Sequence, residues 1–111
     1  RLAQLVGKGK ANEMIFSAGM ISAEEAATCG LVNSVVPQES LMETVKKLAS
    51  KILRNSPMAI CSAIKAVNAG YTSGKNGYEV EIEEFAKCFG TEEFKEGTTA
   101  FLEKRKAKFR K

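Results

Sequence analysis

With 111 residues, 44% of them hydrophobic and 27% charged, the chain has the length and composition of one soluble globular domain and not of a disordered segment. A formal net charge of +4 permits contact with polyanions, while the apolar runs are too short for a bilayer-spanning helix. The absence of histidine excludes Ser-His-Asp and Cys-His nucleophiles and histidine-ligated metal sites.

The cysteines Cys29, Cys61 and Cys88 are odd in number and form no CxxC pair, which predicts free thiols in a reducing cytoplasm. We expect all three to be small buried apolar side chains. No secretory signal peptide is expected, because the first residues lack its apolar stretch. The chain begins at Arg1 and not at methionine, which favours the interpretation that something precedes it.

Apolar residues recur at helical spacing over residues 2–18 and predict a first helix. Two glycines weaken its beginning, so the regular part is expected to start near Lys8 or Lys10 and to end at Gly19.

A capping box of Ser22 with Glu25 then predicts a short helix that Gly30 ends by a left-handed turn. Residues 31–36, bounded by Gly30 and Pro37, predict a short strand. Such a lone strand needs a partner from outside the segment, because a single strand cannot satisfy its own backbone groups.

Three amphipathic helices are predicted next: residues 40–54, a helix begun by Ser56 and Pro57, and a long helix after a loop at residues 71–77. Acidic residues at positions 79–84 are expected to form a solvated helix face. The predicted core faces are Leu41, Val45, Leu48, Ile52 and Leu53; Ile60, Cys61, Ile64 and Val67; and Tyr78, Ile82, Phe85 and Phe89.

The last part is predicted to hold two short helical pieces and a basic tail at residues 104–111. Thr91 is expected to cap a turn that Gly97 ends, and Thr98 or Thr99 to open a last helix containing Phe101. The fold class is therefore mainly α, with at most one short β-strand.

Four segments, in order and at matching spacing, resemble the crotonase (enoyl-CoA hydratase/isomerase) family. MISAEEA at residues 20–26 resembles the family's I-[ST]-A-x-E-A segment, and GLVNSVVP at residues 30–37 resembles its G-L-V-x-x-V-V-P strand. LVGKGKA at residues 5–11 resembles the stretch that follows the family's active-site loop. KEGTTAFLEKR at residues 95–105 resembles the family's C-terminal K-E-G-x-x-A-F-x-E-K-R motif. The form is closest to short-chain enoyl-CoA hydratases, also called 3-hydroxybutyryl-CoA dehydratases.

The resemblance implies the C-terminal segment of a crotonase fold, with residues 1–37 ending the core and residues 38–111 forming a helical region for oligomer contacts and coenzyme A covering. Acyl-CoA thioester is then the substrate, and no cofactor is implied. In the family the oxyanion hole and both catalytic glutamates lie upstream of the Arg-Leu at which this sequence begins. The resemblance therefore assigns no catalytic residue to this chain. No metal-binding residue is expected either.

The same resemblance places Phe101 and Lys104 at coenzyme A, the ring against adenine and the ammonium at a phosphate three residues further along the same helix face. Arg105, Lys106 and Lys108 are expected to add a positive field that attracts the polyanion. Trimers or dimers of trimers are implied as the assembly.

Three alternatives stay open. The parent could be an enoyl-CoA isomerase or an acyl-CoA thioester hydrolase of the same family, or the chain could be a non-catalytic helical oligomerisation module. Nucleic-acid binding by the basic tail is disfavoured, because no aromatic platform is interleaved with the basic residues. Neither nucleic acid nor a membrane is expected as a partner.

Overall fold

A computed structural model describes residues 1–110, so that Lys111, the last residue of the predicted basic tail, lies outside the described residues. The described part is mainly helical, as predicted, and holds no strand. It divides into two compact units, one of Arg1–Thr44 and one from Val45 onward. The helices are α1 (Leu2–Val6), α2 (Lys8–Ser17), α3 (Ala23–Thr28), α4 (Leu41–Leu53), α5 (Pro57–Ala69), α6 (Gly77–Cys88) and α7 (Glu92–Leu102), with a 3-10 helix at Gln38–Ser40 before α4.

The first predicted helix is two helices, because Gly7 at φ 81 breaks the backbone between α1 and α2. The regular part begins at Lys8, one of the two expected starts. Its predicted end at Gly19 is wrong by one residue, since Ala18 takes the left-handed conformation at φ 50.

The capping box that begins α3 is confirmed. Ser22 Oγ accepts from the Glu25 amide at 3.1 Å, and the Glu25 carboxylate accepts from the Ser22 amide at 2.8 Å. Gly30 ends the helix at φ 78, as predicted, with the Leu31 amide donating to the Ala26 carbonyl at 2.9 Å. The first unit is therefore organised by local caps.

The predicted strand at residues 31–36 is wrong. The amides of Leu31 and Val32 both donate to the Ala26 carbonyl, and residues 31–33 form a bend. The valine-rich pattern favours an extended backbone, but a strand also needs a second strand to accept its hydrogen bonds. The described residues offer none.

In the second unit α5 and α6 pack closely, through small residues and not through their predicted core faces. A Cβ on Gly77 would lie 2.9 Å from Gly70 Cα, an approach that only glycine permits. Ala69 of α5 and Glu84 of α6 are buried at this contact side, whereas Phe85 is 65% exposed. The prediction that Glu84 is solvated is therefore wrong.

The last two predicted helical pieces are one helix, α7, with Gly97 in its interior. Thr91 caps it as expected, accepting from the Phe94 amide at 3.0 Å. Thr98 does not open a helix, since its hydroxyl donates to the Phe94 and Lys95 carbonyls. A Cβ at Gly97 would meet the Phe109 ring at 3.5 Å, so the glycine seats this ring and does not end the helix.

The large apolar side chains are exposed, which contradicts the predicted core faces. The buried hydrophobic residues of the described chain are Ala11, Ala26, Ala69 and Ala100. The expectation of three buried thiols is also wrong, since Cys61 is exposed and Cys29 and Cys88 are half-buried. The packing of α5 against α6 through small residues explains this in part, since it leaves the large apolar side chains of both helices facing outward. Exposed members of the predicted faces are Leu41, Val45, Leu48, Ile52, Leu53, Ile64, Val67, Tyr78, Ile82, Phe85 and Phe89.

Candidate functional site

The two residues expected at coenzyme A lie where α7 ends. Phe101 is in the last turn and 82% exposed, and Lys104 is exposed beyond the end of the helix. They do not share a helix face, because Lys104 takes the left-handed conformation at φ 55. Its amide donates to the Phe101 carbonyl at 3.2 Å, which keeps the two residues in one turn.

This turn has the hydrogen bonds of a Schellman motif, in which a left-handed residue follows the helix. The amide of Arg105 donates to the Ala100 carbonyl at 3.0 Å. The hydrogen bond from the Lys104 amide to the Phe101 carbonyl is the second bond of the motif and spans fewer residues. Glycine usually occupies the left-handed position because it has no Cβ. Here a lysine occupies it.

Glu96, in the middle of α7, binds the chain that follows the turn. Its Oε1 and Oε2 accept from the two terminal nitrogens of Arg105 at 2.6 and 2.9 Å, a bidentate pair. The Lys108 amide donates to Glu96 Oε1 at 2.7 Å. Arg105 Nε also donates to Glu103 at 2.6 Å. Residues 105–108 are thereby held back against α7.

These contacts change the charge expected of the tail. Arg105 faces two carboxylates, so it does not serve as an uncompensated cation, in contrast to the prediction for this residue. Lys106 and Lys108 instead line an open depression of about 500 Å³ together with Arg54 and Arg110. Basic side chains therefore surround this depression, which makes its surroundings positively charged.

The Arg105 guanidinium, and then the Lys108 amide, lower the pKa of Glu96 to about 2 from its ordinary 4.5. A carboxyl with a lowered pKa stabilises the fold above its unfolded pKa and loses this contribution as the pH falls through the folded value. We therefore expect the melting temperature to fall between about pH 4.5 and pH 2, and Glu96→Gln to flatten this fall. Circular dichroism melts across this range test it, with the exposed Glu79→Gln as the charge-matched control; parallel curves for Glu96→Gln and the unaltered chain would contradict it.

Glu84 is the buried carboxylate of the second unit, at 6% exposure. Its Oε1 accepts from Lys87 at 2.7 Å, and its Oε2 lies 3.6 Å from the Lys65 ammonium. Lys87, and then the Ser62 side chain, hold the pKa of Glu84 below its ordinary range. A general acid at neutral pH needs a raised pKa, so Glu84 does not suit that role. Its ion pair with Lys65 instead links α6 to α5. Sequence reasoning missed it because its partner Lys65 lies on another helix.

No set of three acidic or thiol side chains converges into a metal-holding group within residues 1–110. Across the same residues, every helix is too short or too polar to traverse a bilayer.

Comparison with known proteins identifies a matching family and several similar chains. The protein-family model described as enoyl-CoA hydratase/isomerase matches residues 1–111. A crotonyl-CoA hydratase of Syntrophomonas wolfei is 44% identical over 110 residues, covering 98% of this chain and 42% of the relative. A short-chain-enoyl-CoA hydratase of Clostridium acetobutylicum is 45% identical over 107 residues, covering 96% of this chain and 41% of the relative.

The backbone agrees with this relationship. The crystal structure of an enoyl-CoA hydratase from Bacillus anthracis superimposes with a TM-score of 0.89 at 36% identity, over 97% of this chain and 42% of that chain. The chain thus spans about two-fifths of the length of the relatives it matches. Its helices follow part of a larger fold.

Proposed function

Because the chain belongs to the enoyl-CoA hydratase/isomerase family, we propose that it is the C-terminal part of an enoyl-CoA hydratase, a lyase that adds water across the 2,3-double bond of an enoyl-CoA thioester. In the parent it contributes oligomer contacts and coenzyme A binding, without the catalytic glutamates. The observation that carries the proposal is the match of 110 and 107 residues of this chain to hydratases from two bacteria, of which they cover only about two-fifths.

The order of the four family segments supports the C-terminal position, because the segment at residues 95–105 resembles the end of the family's sequence. In such an enzyme the thioester oxygen is held by backbone amides as enolate charge develops, and each such donor contributes about 3–4 kcal/mol. We place those amides and both glutamates upstream of this chain. A reducing cytoplasm suits its three free thiols.

The exposed ring of Phe101 and the adjacent Lys104 support the coenzyme A role. A flat, 82% exposed ring offers an apolar surface for adenine, and an ammonium in the same turn suits a phosphate. The nearby basic depression of Lys106 and Lys108 adds attraction for the same polyanion. Acyl-CoA is the substrate in this proposal and no cofactor takes part.

We expect the 111-residue chain to bind coenzyme A without hydrating crotonyl-CoA. Calorimetric titration measures the binding, and loss of the enoyl-thioester absorbance measures the reaction. Titration with adenosine is the control, because it keeps the ring contact and removes every phosphate. Turnover that survives repeated purification would contradict the placement of the glutamates, and absence of any coenzyme A binding would contradict the binding role.

The exposed apolar faces favour a second candidate, a helical oligomerisation module without a ligand. Val45, Leu48 and Ile52 of α4 are each about half exposed on one helix face, as expected of a surface that another subunit covers. Both candidates predict a trimer or a dimer of trimers by light scattering, and coenzyme A binding separates them. A monomer at high concentration would contradict the oligomerising role in either case. A parent that is an isomerase or thioester hydrolase would be distinguished by its upstream acids.

A further inference from the structure

The turn after α7 holds a lysine in a conformation that lysine avoids. Lys104 and Ala18 are the two non-glycine residues with positive φ among residues 1–110. A side chain in the left-handed region costs about 1–2 kcal/mol. Such conformations persist where the surroundings fix them, and they concentrate at functional sites.

The surroundings fix Lys104 from both sides. On one side the Schellman hydrogen bonds tie its own amide and that of Arg105 to the last turn of α7. On the other side the Arg105 guanidinium is bound by two oxygens of Glu96 and one of Glu103. The Lys108 amide on Glu96 closes the loop. The backbone of Lys104 therefore has little freedom, although the residue is exposed.

We propose that Glu96 and Arg105 are positioning residues for coenzyme A, which fix the left-handed turn that sets Lys104 beside Phe101. This inference rests on the proposed function, since it assigns a purpose to the turn only if Lys104 meets a phosphate. Arg105 then acts through Lys104 and is not itself a phosphate ligand, because its charge is already matched by carboxylates.

Electrostatics alone predicts the opposite effect of the key substitution. Glu96→Gln removes a negative charge near the expected polyanion site, which by charge alone strengthens binding of coenzyme A. If Glu96 positions Lys104, the same substitution weakens binding, because the turn must then be ordered when the ligand binds. The direction of the change therefore decides between the two roles.

Calorimetric titration of coenzyme A into four forms of the full chain tests this: unaltered, Glu96→Gln, Lys104→Ala and the double variant. Glu96→Gln is expected to weaken binding by about three- to tenfold, the range for ordering one long side chain on association. In the Lys104→Ala background the same change is expected no longer to weaken binding, because the weakening acts through Lys104 and only the effect of the removed charge remains. Equal or tighter binding by Glu96→Gln would overturn the inference. It would also be overturned if Glu96→Gln weakened binding as much in the Lys104→Ala background as in the unaltered chain.

A second pair of variants separates geometry from charge. Arg105→Lys keeps the charge but loses the bidentate fork, so we expect it to weaken binding as much as Arg105→Gln. Full rescue by lysine would overturn the geometric role. Circular dichroism confirms that each variant keeps its helix content, and the amide–α-proton coupling of Lys104 reports whether the left-handed turn is lost in Glu96→Gln. Retention of that turn would also overturn the inference.

Failure of the two proposals can be told apart. If the unaltered chain binds no coenzyme A, the proposed binding role fails and this inference falls with it. If the unaltered chain binds and Glu96→Gln binds equally well, the binding role stands and only the positioning role is overturned.

Discussion

Replacing Lys104 with glycine is expected to stabilise the chain and to weaken its binding of coenzyme A at the same time. Glycine adopts the φ of 55 found at this position without a Cβ clash. Removing the left-handed penalty should raise the free energy of unfolding by about 1 kcal/mol. The loss of the ammonium should weaken coenzyme A binding about tenfold or more, the scale of one charge-assisted hydrogen bond. Denaturant titration and calorimetry measure the two effects.

Lys106→Gly is the matched control, since it removes the same side chain two residues further on, where φ is not positive. We expect no gain in stability from it, and a smaller loss of affinity that fades as salt is added. A Lys104→Gly variant that is less stable than the unaltered chain would show that the left-handed turn is not under strain. An unchanged affinity of Lys104→Gly for coenzyme A would show that Lys104 does not contribute to binding.

Gly77→Ala is expected to produce the largest loss of stability. The new methyl would lie 2.9 Å from Gly70 Cα and 3.1 Å from Gly70 N, both backbone atoms that cannot turn aside. The start of α6 must then move away from the end of α5, at a cost of about 1–3 kcal/mol for overpacking. Thermal unfolding followed by circular dichroism measures the change.

Gly9→Ala provides the control for this substitution. Gly9 lies inside α2, and a Cβ there would meet nothing within 4 Å. The same exchange should therefore stabilise the chain by up to about 1 kcal/mol through helix propensity. Equal behaviour of the two alanine variants would mean that the approach of Gly70 and Gly77 does not hold α5 to α6.

Local features of the structure were predictable from the sequence. Ser22, Ser56 and Thr91 each accept an amide three residues ahead, so the signal and its partner lie within one turn. Gly30 ends its helix for the same local reason. The family resemblance was readable because its motifs preserve spacing along the chain, and the family match confirms it.

Features that depend on distant residues were not predictable in this way. The burial of Glu84 requires Lys65 on a neighbouring helix, and a pattern of apolar residues alone directs the larger face of α6 inward. The predicted strand at residues 31–36 is absent because the sequence of one segment cannot supply the second strand with which it would pair.

The candidate site shows the same division. Phe101 and Lys104 came from the resemblance, and their role in coenzyme A binding stays a prediction. Their geometry could not be anticipated, because a lysine gives no sequence signal for a left-handed turn. Glu96 was missed as a contributor to that turn, since it precedes Arg105 by nine residues. An acid within the helix followed by arginine just past its end is the signal that could have identified it.

The small size of the buried side chains has a thermodynamic consequence. The heat capacity change on unfolding and the denaturant dependence of stability both scale with the apolar area that unfolding exposes. Among residues 1–110 the buried hydrophobic residues are four alanines, while large side chains such as Leu48 and Phe85 are already in contact with solvent. An isolated chain would therefore unfold with a shallow denaturant slope and a flat stability curve. A chain whose apolar faces are covered by other polypeptide would unfold with a steep slope and a strongly curved one.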